Sequence, residues 1–264
     1  MRSRLAIIIV VVLVLVGGVA AAVYFSNQPP EEPAGVDLNA IQGKIEAGDF
    51  ETARAELEAI LAEDAENAEA HFKLGLTMFN LGEFEDARSH FNTSLTLDPE
   101  RAAAVHHNLG VLAYQIGDMD TAVSEFEAAL SADPEDADTH YQLGATYLIL
   151  AFPMGAMEPD LDRLQQAEAE FNKSLASEPD KPEALVGLGN IHMLQGDMDA
   201  AITTLERAIE QQPEMREALF ALGRAYAAVG ETAKAKTTLT TFLQTDPPAV
   251  WAEQAEELLT SLGQ

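Results

Sequence analysis

The chain has no cysteine, a single tryptophan, and only 15 basic side chains against 44 acidic ones in 264 residues. The first absence excludes disulfides, thiolate zinc sites, a cysteine nucleophile and a lipid-modified cysteine. It also removes the usual marker of an oxidising compartment. The scarcity of lysine and arginine leaves a formal net charge of -29. Such a surface repels nucleic acid and anionic lipid head groups, so nucleic acid is excluded as a partner. Catalytic signatures are missing too: there is no Gly-rich phosphate loop, HExxH, GxSxG or paired-carboxylate motif. A non-enzymatic protein without a cofactor or a metal is the expectation.

What is present begins at the N-terminus. Met1-Arg2-Ser3-Arg4 precedes Leu5 to Phe25, a stretch of 21 residues without a charge. As a helix it would span about 31 Å, enough for the hydrocarbon core of a bilayer. A cleaved signal peptide is the rival, because Ala20-Ala21-Ala22 offers small residues for cleavage, but secretory apolar segments are usually shorter, about 7–15 residues. Tyr24 and Phe25 suit an interfacial anchor. Residues 1–25 are therefore expected to be an uncleaved transmembrane signal-anchor, with membrane contact through residues 5–25. Arg2 and Arg4 should stay cytoplasmic, which places the rest in the periplasm or outside the cell. Residues 26–36, containing "SNQPPEEPAG", are polar, Pro-rich and aperiodic, an extended linker that holds the remainder of the chain close to the membrane.

From residue 37 a period emerges. Leu-Gly recurs at Leu74-Gly75, Leu109-Gly110, Leu143-Gly144, Leu188-Gly189 and Leu222-Gly223. A second glycine recurs at Gly48, Gly82, Gly117, Gly196 and Gly230. A small residue recurs at Ala53, Ala87, Ala122, Ala167, Ala201 and Ala235, and a proline at Pro99, Pro134, Pro179, Pro213 and Pro247. The alanines are 34, 35, 45, 34 and 34 residues apart. The apolar pattern between the glycines is helical and resumes after the second glycine. That glycine ends the first helix (A) in a left-handed cap. The Leu-Gly glycine sits inside helix A, where it costs about 1 kcal/mol relative to alanine, so its repetition predicts a close helix contact. The alanine lets the second helix (B) approach, and the proline stops it.

A 34-residue helix-turn-helix with these positions resembles the tetratricopeptide repeat (TPR) family. The resemblance covers residues 34 to 247. It implies an all-α, right-handed superhelical solenoid of six helix-turn-helix units (37–247) preceded by the transmembrane helix. Unit one is degenerate, with Ile41 at the Leu-Gly glycine position and Ala65 at the proline. Residues 248–264 read as a capping helix in which Trp251, Leu258, Leu259 and Leu262 cover the last unit.

In that family the concave groove is lined by helix A residues. The matching positions are Phe72, Leu76 and Phe79; His107, Val111 and Tyr114; Tyr141, Ala145 and Leu148; Val186, Asn190 and Met193; and Phe220 with Arg224. The lysine-asparagine clamp by which some TPR domains hold a carboxylate is missing at Phe72/Leu76 and His107/Val111. The resemblance thus implies other proteins as partners, offering an apolar helix or extended segment, with basic flanks suited to the acidic surround. Ordinary packing between repeats is the competing account of the same stripe.

Other residues carry less. His71, His106 and His140 share one repeat position, but equivalent positions in successive units stand about 10 Å apart, too far for one metal ion. Packing is their expected role. Glu69, Asp138, Glu183 and Glu217 lie near helix A N-termini, where acids meet the helix dipole favourably. Asn92-Thr93-Ser94 and Asn172-Lys173-Ser174 match a glycosylation acceptor but fall in helix B.

One feature breaks the repeat. The 45-residue spacing places an 11-residue insertion at 151–161, in place of the fourth unit's glycine turn. Helix A is expected to run on through "YLILAF" until Pro153, to reverse near Gly155, and to restart near "EPDLDRL". Phe152, Met154 and Met157 either fold onto neighbouring units or form a Met-rich contact at an edge. The whole reads as a membrane-anchored extracytoplasmic scaffold or chaperone for envelope assembly; the alternative is a permanent subunit of a membrane complex.

Overall fold

The computed structural model describes residues 37–154 and 158–263. The expected transmembrane segment, the linker, Gly155 and Met157 lie outside them. Among the described residues there are thirteen α-helices, one short 3-10 helix and no strand, and no helix is long and apolar enough to cross a membrane. Residues 37–134 form one compact unit, and the described residues from Glu135 form a second.

The N-terminal unit contains three hairpins: α1 (Leu38–Glu46) with α2 (Phe50–Glu63), α3 (Ala68–Leu81) with α4 (Phe84–Leu97), and α5 (Ala102–Gln115) with α6 (Met119–Ala132). The C-terminal unit contains α7 (Ala137–Leu150) with α8 (Leu161–Ser177), α9 (Pro182–Gln195) with α10 (Met198–Gln211), α11 (Arg216–Ala228) with α12 (Thr232–Gln244), and α13 (Ala249–Ser261). The six expected hairpins and the cap are all there.

The turn chemistry rests on two residues. Gly82 and Gly117 have φ of 79° and 83°, a left-handed conformation that a side chain disfavours. After each comes an acid. The Glu83 N–H reaches back to the Met78 carbonyl at 2.9 Å, and the Asp118 N–H to that of Ala113 at 2.9 Å, which closes helix A. The same acid opens helix B: the Asp118 carboxylate accepts from the Thr121 N–H. Asp197 does likewise for Ala200. One Gly-acid pair therefore ends one helix and starts the next.

Packing explains the Leu-Gly glycine. A Cβ at Gly75 would stand 2.7 Å from the Phe91 ring, at Gly110 2.6 Å from Phe126, and at Gly144 2.9 Å from Phe171. At Gly189 and Gly223 the obstacle is Leu205 or Leu239. All five obstacles are wholly buried, as are the six repeat alanines of helix B. The first unit reverses the distribution of bulk: Ile41 replaces the glycine and is buried, and a smaller Leu57 stands where Phe91, Phe126 and Phe171 stand later.

The acids at the helix A N-termini do more than meet a dipole. Glu69 pairs with Arg101 at 2.5 Å, and Asp138 with Lys181 at 2.5 Å, each linking the start of one helix A to the approach to the next. The acceptor motifs also find a structural reason. Ser94 donates to the Ala68 carbonyl and Ser174 to the Ala137 carbonyl, both at 2.8 Å, so each serine ties helix B to the first residue of helix A. Ser174→Ala should remove a buried hydrogen bond to a carbonyl that keeps its own helical partner and cost about 0.5–1.5 kcal/mol, seen as a lower midpoint of urea unfolding. An unchanged midpoint would remove that role.

The insertion departs from expectation. Helix α7 ends at Leu150 and has 14 residues, the length of its counterparts α3 and α5. Pro153 lacks the N–H that Ile149 would need and disfavours a helical Phe152. Eight of the eleven extra residues lengthen the connection, from two residues (82–83) to ten (151–160), and three extend α8 at its N-terminus to 17 residues. The connection is closed at its neck by the Asp160 N–H donating to the Ala151 carbonyl at 2.8 Å. Asp160 then caps α8 through the N–H groups of Asp162 and Arg163.

Candidate functional site

The helix A stripe is built mainly of hairpin core. Phe72 lies 5.8 Å from Phe91, His107 6.0 Å from Phe126 and Tyr141 6.1 Å from Phe171, ring centre to ring centre. The same contact is thus made in three hairpins, each time by the residue three before the glycine notch. Phe72, Leu76, His107, Val111, Tyr114, Ala145, Leu148, Val186, Asn190 and Phe220 are all buried. Phe79, Tyr141, Met193 and Arg224 are half-buried. The ten buried positions do not form an exposed groove lining, because their surface is spent on the facing helix and the surrounding core. Substitution of Tyr114 or Phe220 by a charge would disrupt the core before it reported on a partner.

Two members of the stripe remain chemically unspent. The Asn190 side-chain amide nitrogen is buried without a hydrogen-bond partner. The Arg224 guanidinium sits 5.7 Å over the Phe220 ring, and burial lowers its pKa to about 10. Elsewhere burial raises the Tyr114 phenol well above its usual range. Burial, then a hydrogen bond to Glu206, raises Tyr226 to about 12. In both tyrosines the neutral form is favoured, so their contribution to stability is present below the free-phenol value near 10 and is lost as pH rises through the folded-state value. Absorbance titration of the folded chain should accordingly find two phenols ionising later than free tyrosine. Early ionisation of both would contradict their burial.

The insertion residues separate. Phe152 is half-buried and Met154 is fully exposed, 103%, so Met154 does not fold onto a neighbouring helix. Leu161, in the three-residue extension of α8, is 72% exposed. Ile116 and Val229, each immediately before a turn glycine, are also exposed large apolar residues. Each of the four belongs to the corner where helix A of its own hairpin turns into helix B. The sequence points to the insertion corner, through Met154, as an edge contact, but not to the corners at Ile116 and Val229. At Ile116 and Val229 the signal is an apolar residue directly before the glycine of a Gly-acid turn.

The histidines pair across hairpins, not between repeats. His106 bonds Glu125 and His140 bonds Glu170, each at 2.7 Å, and His71 bonds His90 at 2.9 Å. Among the described residues there is no group of three or more ligating side chains.

Several solved structures share this fold. A structure of PilF from Pseudomonas aeruginosa is 18% identical, with a TM-score of 0.71, covering 83% of this chain and 95% of that one. PilW, described as a widely conserved type IV pilus biogenesis factor, is 19% identical with a TM-score of 0.65, covering 86% and 96%. YrrB, described as a TPR protein with an unusual peptide-binding site, is 22% identical with a TM-score of 0.55, covering 76% and 97%. At these identities the likeness is one of fold. No curated protein matches the chain. Tetratricopeptide-repeat family models match residues 44–109, 103–136, 160–214 and 193–262, the stretches that carry the notch glycines Gly75, Gly110, Gly189 and Gly223 and all six repeat alanines, and the chain belongs to the tetratricopeptide-repeat family.

Proposed function

We propose that the chain is a membrane-tethered, extracytoplasmic scaffold that holds other proteins during assembly of envelope complexes. A protein-protein interaction role follows from the TPR family. The tether rests on one observation, the uncharged stretch Leu5–Phe25 behind Arg2 and Arg4, joined to the repeats by a short Pro-rich linker. The length of that stretch supports a span, and the two arginines support the orientation. Partner contact is assigned to the half-buried helix A residues Phe79, Tyr141, Met193 and Arg224 and to the apolar turn corners. The partner offers an apolar segment, with basic flanks favoured by the net charge of -29. Nothing in this reading requires catalysis or a cofactor.

A second reading, a permanent subunit of a membrane complex, is favoured by Met154 alone. A fully exposed methionine on a connection closed at its neck suits a fixed contact. Purification of the full chain in mild detergent separates the two. A scaffold should bring down several substoichiometric clients, and a subunit one stoichiometric partner. Met154→Asp with Leu161→Asp should reduce either recovery by about tenfold or more, the equivalent of losing a contact worth about 1.4 kcal/mol, with helical circular dichroism unchanged. Full recovery from the double variant would remove this turn corner from the binding surface. Protease accessibility of the repeats in cells with an opened outer envelope tests the orientation, and protection there would reverse it.

A further inference from the structure

His71 on α3 and His90 on α4 meet head-on across the second hairpin, with their Nδ1 atoms 2.9 Å apart and their ring centres 5.2 Å apart. Both rings are half-buried. They line an open cavity of about 400 Å³ together with Glu58 and Leu61 of α2 and Ala65 of the loop that follows. At the same two repeat positions the third hairpin carries His106 and Glu125, bonded at 2.7 Å. The fourth carries His140 and Glu170, also at 2.7 Å. Of these three hairpins, the second sets a histidine where the others set a carboxylate.

The hydrogen count follows from the acceptors. His71 Nε2 lies 3.2 Å from the Ala65 carbonyl, and a carbonyl only accepts, so Nε2 carries hydrogen. A neutral His71 therefore presents a lone pair at Nδ1, and His90 Nδ1 donates to it. One added proton leaves the bond intact, because a charged ring still faces one lone pair whichever ring carries the charge. A second proton does not. Each imidazolium has hydrogen on both ring nitrogens, so two N–H groups and two positive charges would meet at the 2.9 Å contact. Burial, then His71, lowers the His90 pKa, against the opposing pull of Asp86 on the same helix and Glu58 of α2. The Glu58 carboxylate is itself shared with Arg54, at 2.9 Å.

We propose that this pair is an acid-operated latch of the N-terminal unit. It stays closed while the two imidazoles hold at most one added proton, and the second proton opens it, one ring turning out into the cavity. Because the folded-state value of His90 is lowered, the pair's contribution to stability is full above the free-imidazole value near 6.5 and is lost as pH falls through the lowered value. The neighbouring hairpin responds the other way. A proton on His106 sets a cation against the Glu125 carboxylate and turns a hydrogen bond into an ion pair. That pair weakens only when the carboxylate is protonated as well. Mild acid thus loosens α3 and α4 while α5 and α6 hold. The latch sits where α4 is tied to α3 and, through the Ala65 carbonyl, to the loop after α2. One helix B position, His90 against Glu125, decides the sign of the response.

The test is amide hydrogen exchange of the full chain in mild detergent, read by mass spectrometry at pH 7 and at pH 5 and corrected for the pH dependence of intrinsic exchange. If the open form alone takes the second proton, each pH unit below about 6.5 raises the opening constant about tenfold. Corrected exchange in α3 and α4 should therefore rise about tenfold or more in acid, relative to α6. His90→Gln should abolish the rise, because glutamine offers its N–H to a neutral His71 and its oxygen to a charged one. His90→Glu, which copies the third hairpin, should make α3 and α4 hold in acid as α5 and α6 do. Nitrogen NMR of the wild-type imidazoles should show the two rings of the pair titrating in separate steps, the second below about 6.5. That titration needs no variant and decides if either substitution alters the fold. Equal exchange at the two pH values, a rise that survives in His90→Gln, or two rings titrating together near 6.5 would overturn the latch and leave the pair as a fixed packing contact.

Discussion

Phe171→Ala is expected to cost about 3–5 kcal/mol, the range for removing a buried aromatic ring. Phe171 is wholly buried on α8 and fills two notches at once. A Cβ on Gly144 of α7 would stand 2.9 Å from its ring, and one on Gly187 of α9 would stand 2.5 Å from its Cζ. The ring is therefore a wedge between the two helices A that flank it, and each notch exists because a side chain is missing. Gly187→Ala should itself destabilise. Overpacking costs about 1–3 kcal/mol, against a helix-propensity gain of about 1 kcal/mol. In a Phe171→Leu background, which removes the Cζ, the same Gly187→Ala should cost less, giving a coupling of about 0.5–3 kcal/mol. Urea unfolding of the four proteins measures it. Strict additivity would show that ring and notch do not meet.

Trp251→Ala is expected to cost a similar amount, about 3–5 kcal/mol, and to change solution behaviour as well. Trp251 of α13 is 6% exposed, with its ring centre 6.1 Å from Phe220 and 6.4 Å from Phe242. Together with Ala255 it covers Leu219, Phe220, Leu239 and Phe242, a cluster at the end of the C-terminal unit. Helix α13 takes the place of a further repeat on that face and keeps it from solvent. The variant should bind an apolar dye and associate at concentrations where wild type does not. Trp251→Phe should retain most of the stability. Since this is the only tryptophan, its fluorescence in the wild type reports the cap directly, and a red shift should precede loss of helical signal. A blue-shifted emission surviving until global unfolding would mean that the cap does not open separately.

The hairpins were legible because their causes are local. Gly82, Gly117, Gly196 and Gly230 mark positive φ at a fixed place, Asp118 and Asp197 after two of them cap the next helix, and the proline closes it. The notch at Gly75, Gly110 and Gly144 was legible as well, since a glycine kept inside a helix needs a reason. The candidate surface was less so. Phe72, Tyr114 and Phe220 read as groove lining from their repeat positions, yet they are buried against the partner helix or within the core. A position in a repeat says which way a residue leaves its own helix, but how much surface stays open depends on the size of what faces it. The alanine spacing likewise reveals the insertion without revealing where its first helix stops: Pro153 disrupts the last turn from three residues beyond the end of α7 at Leu150.

The sequence by itself determined the repeat, its period, its turns and its cap, together with an acidic, cysteine-free composition and an uncharged N-terminal stretch. Each of these depends on residues within one turn or one period of each other. Only the tertiary structure decided that the aromatic stripe is mostly core, that Met154 and Leu161 stand in the open, and that His71 faces His90. Those outcomes depend on which side chains distant in sequence meet and which meet nothing, as His71 meets His90 across 19 residues, and the meeting is set by how closely a glycine notch lets two helices approach.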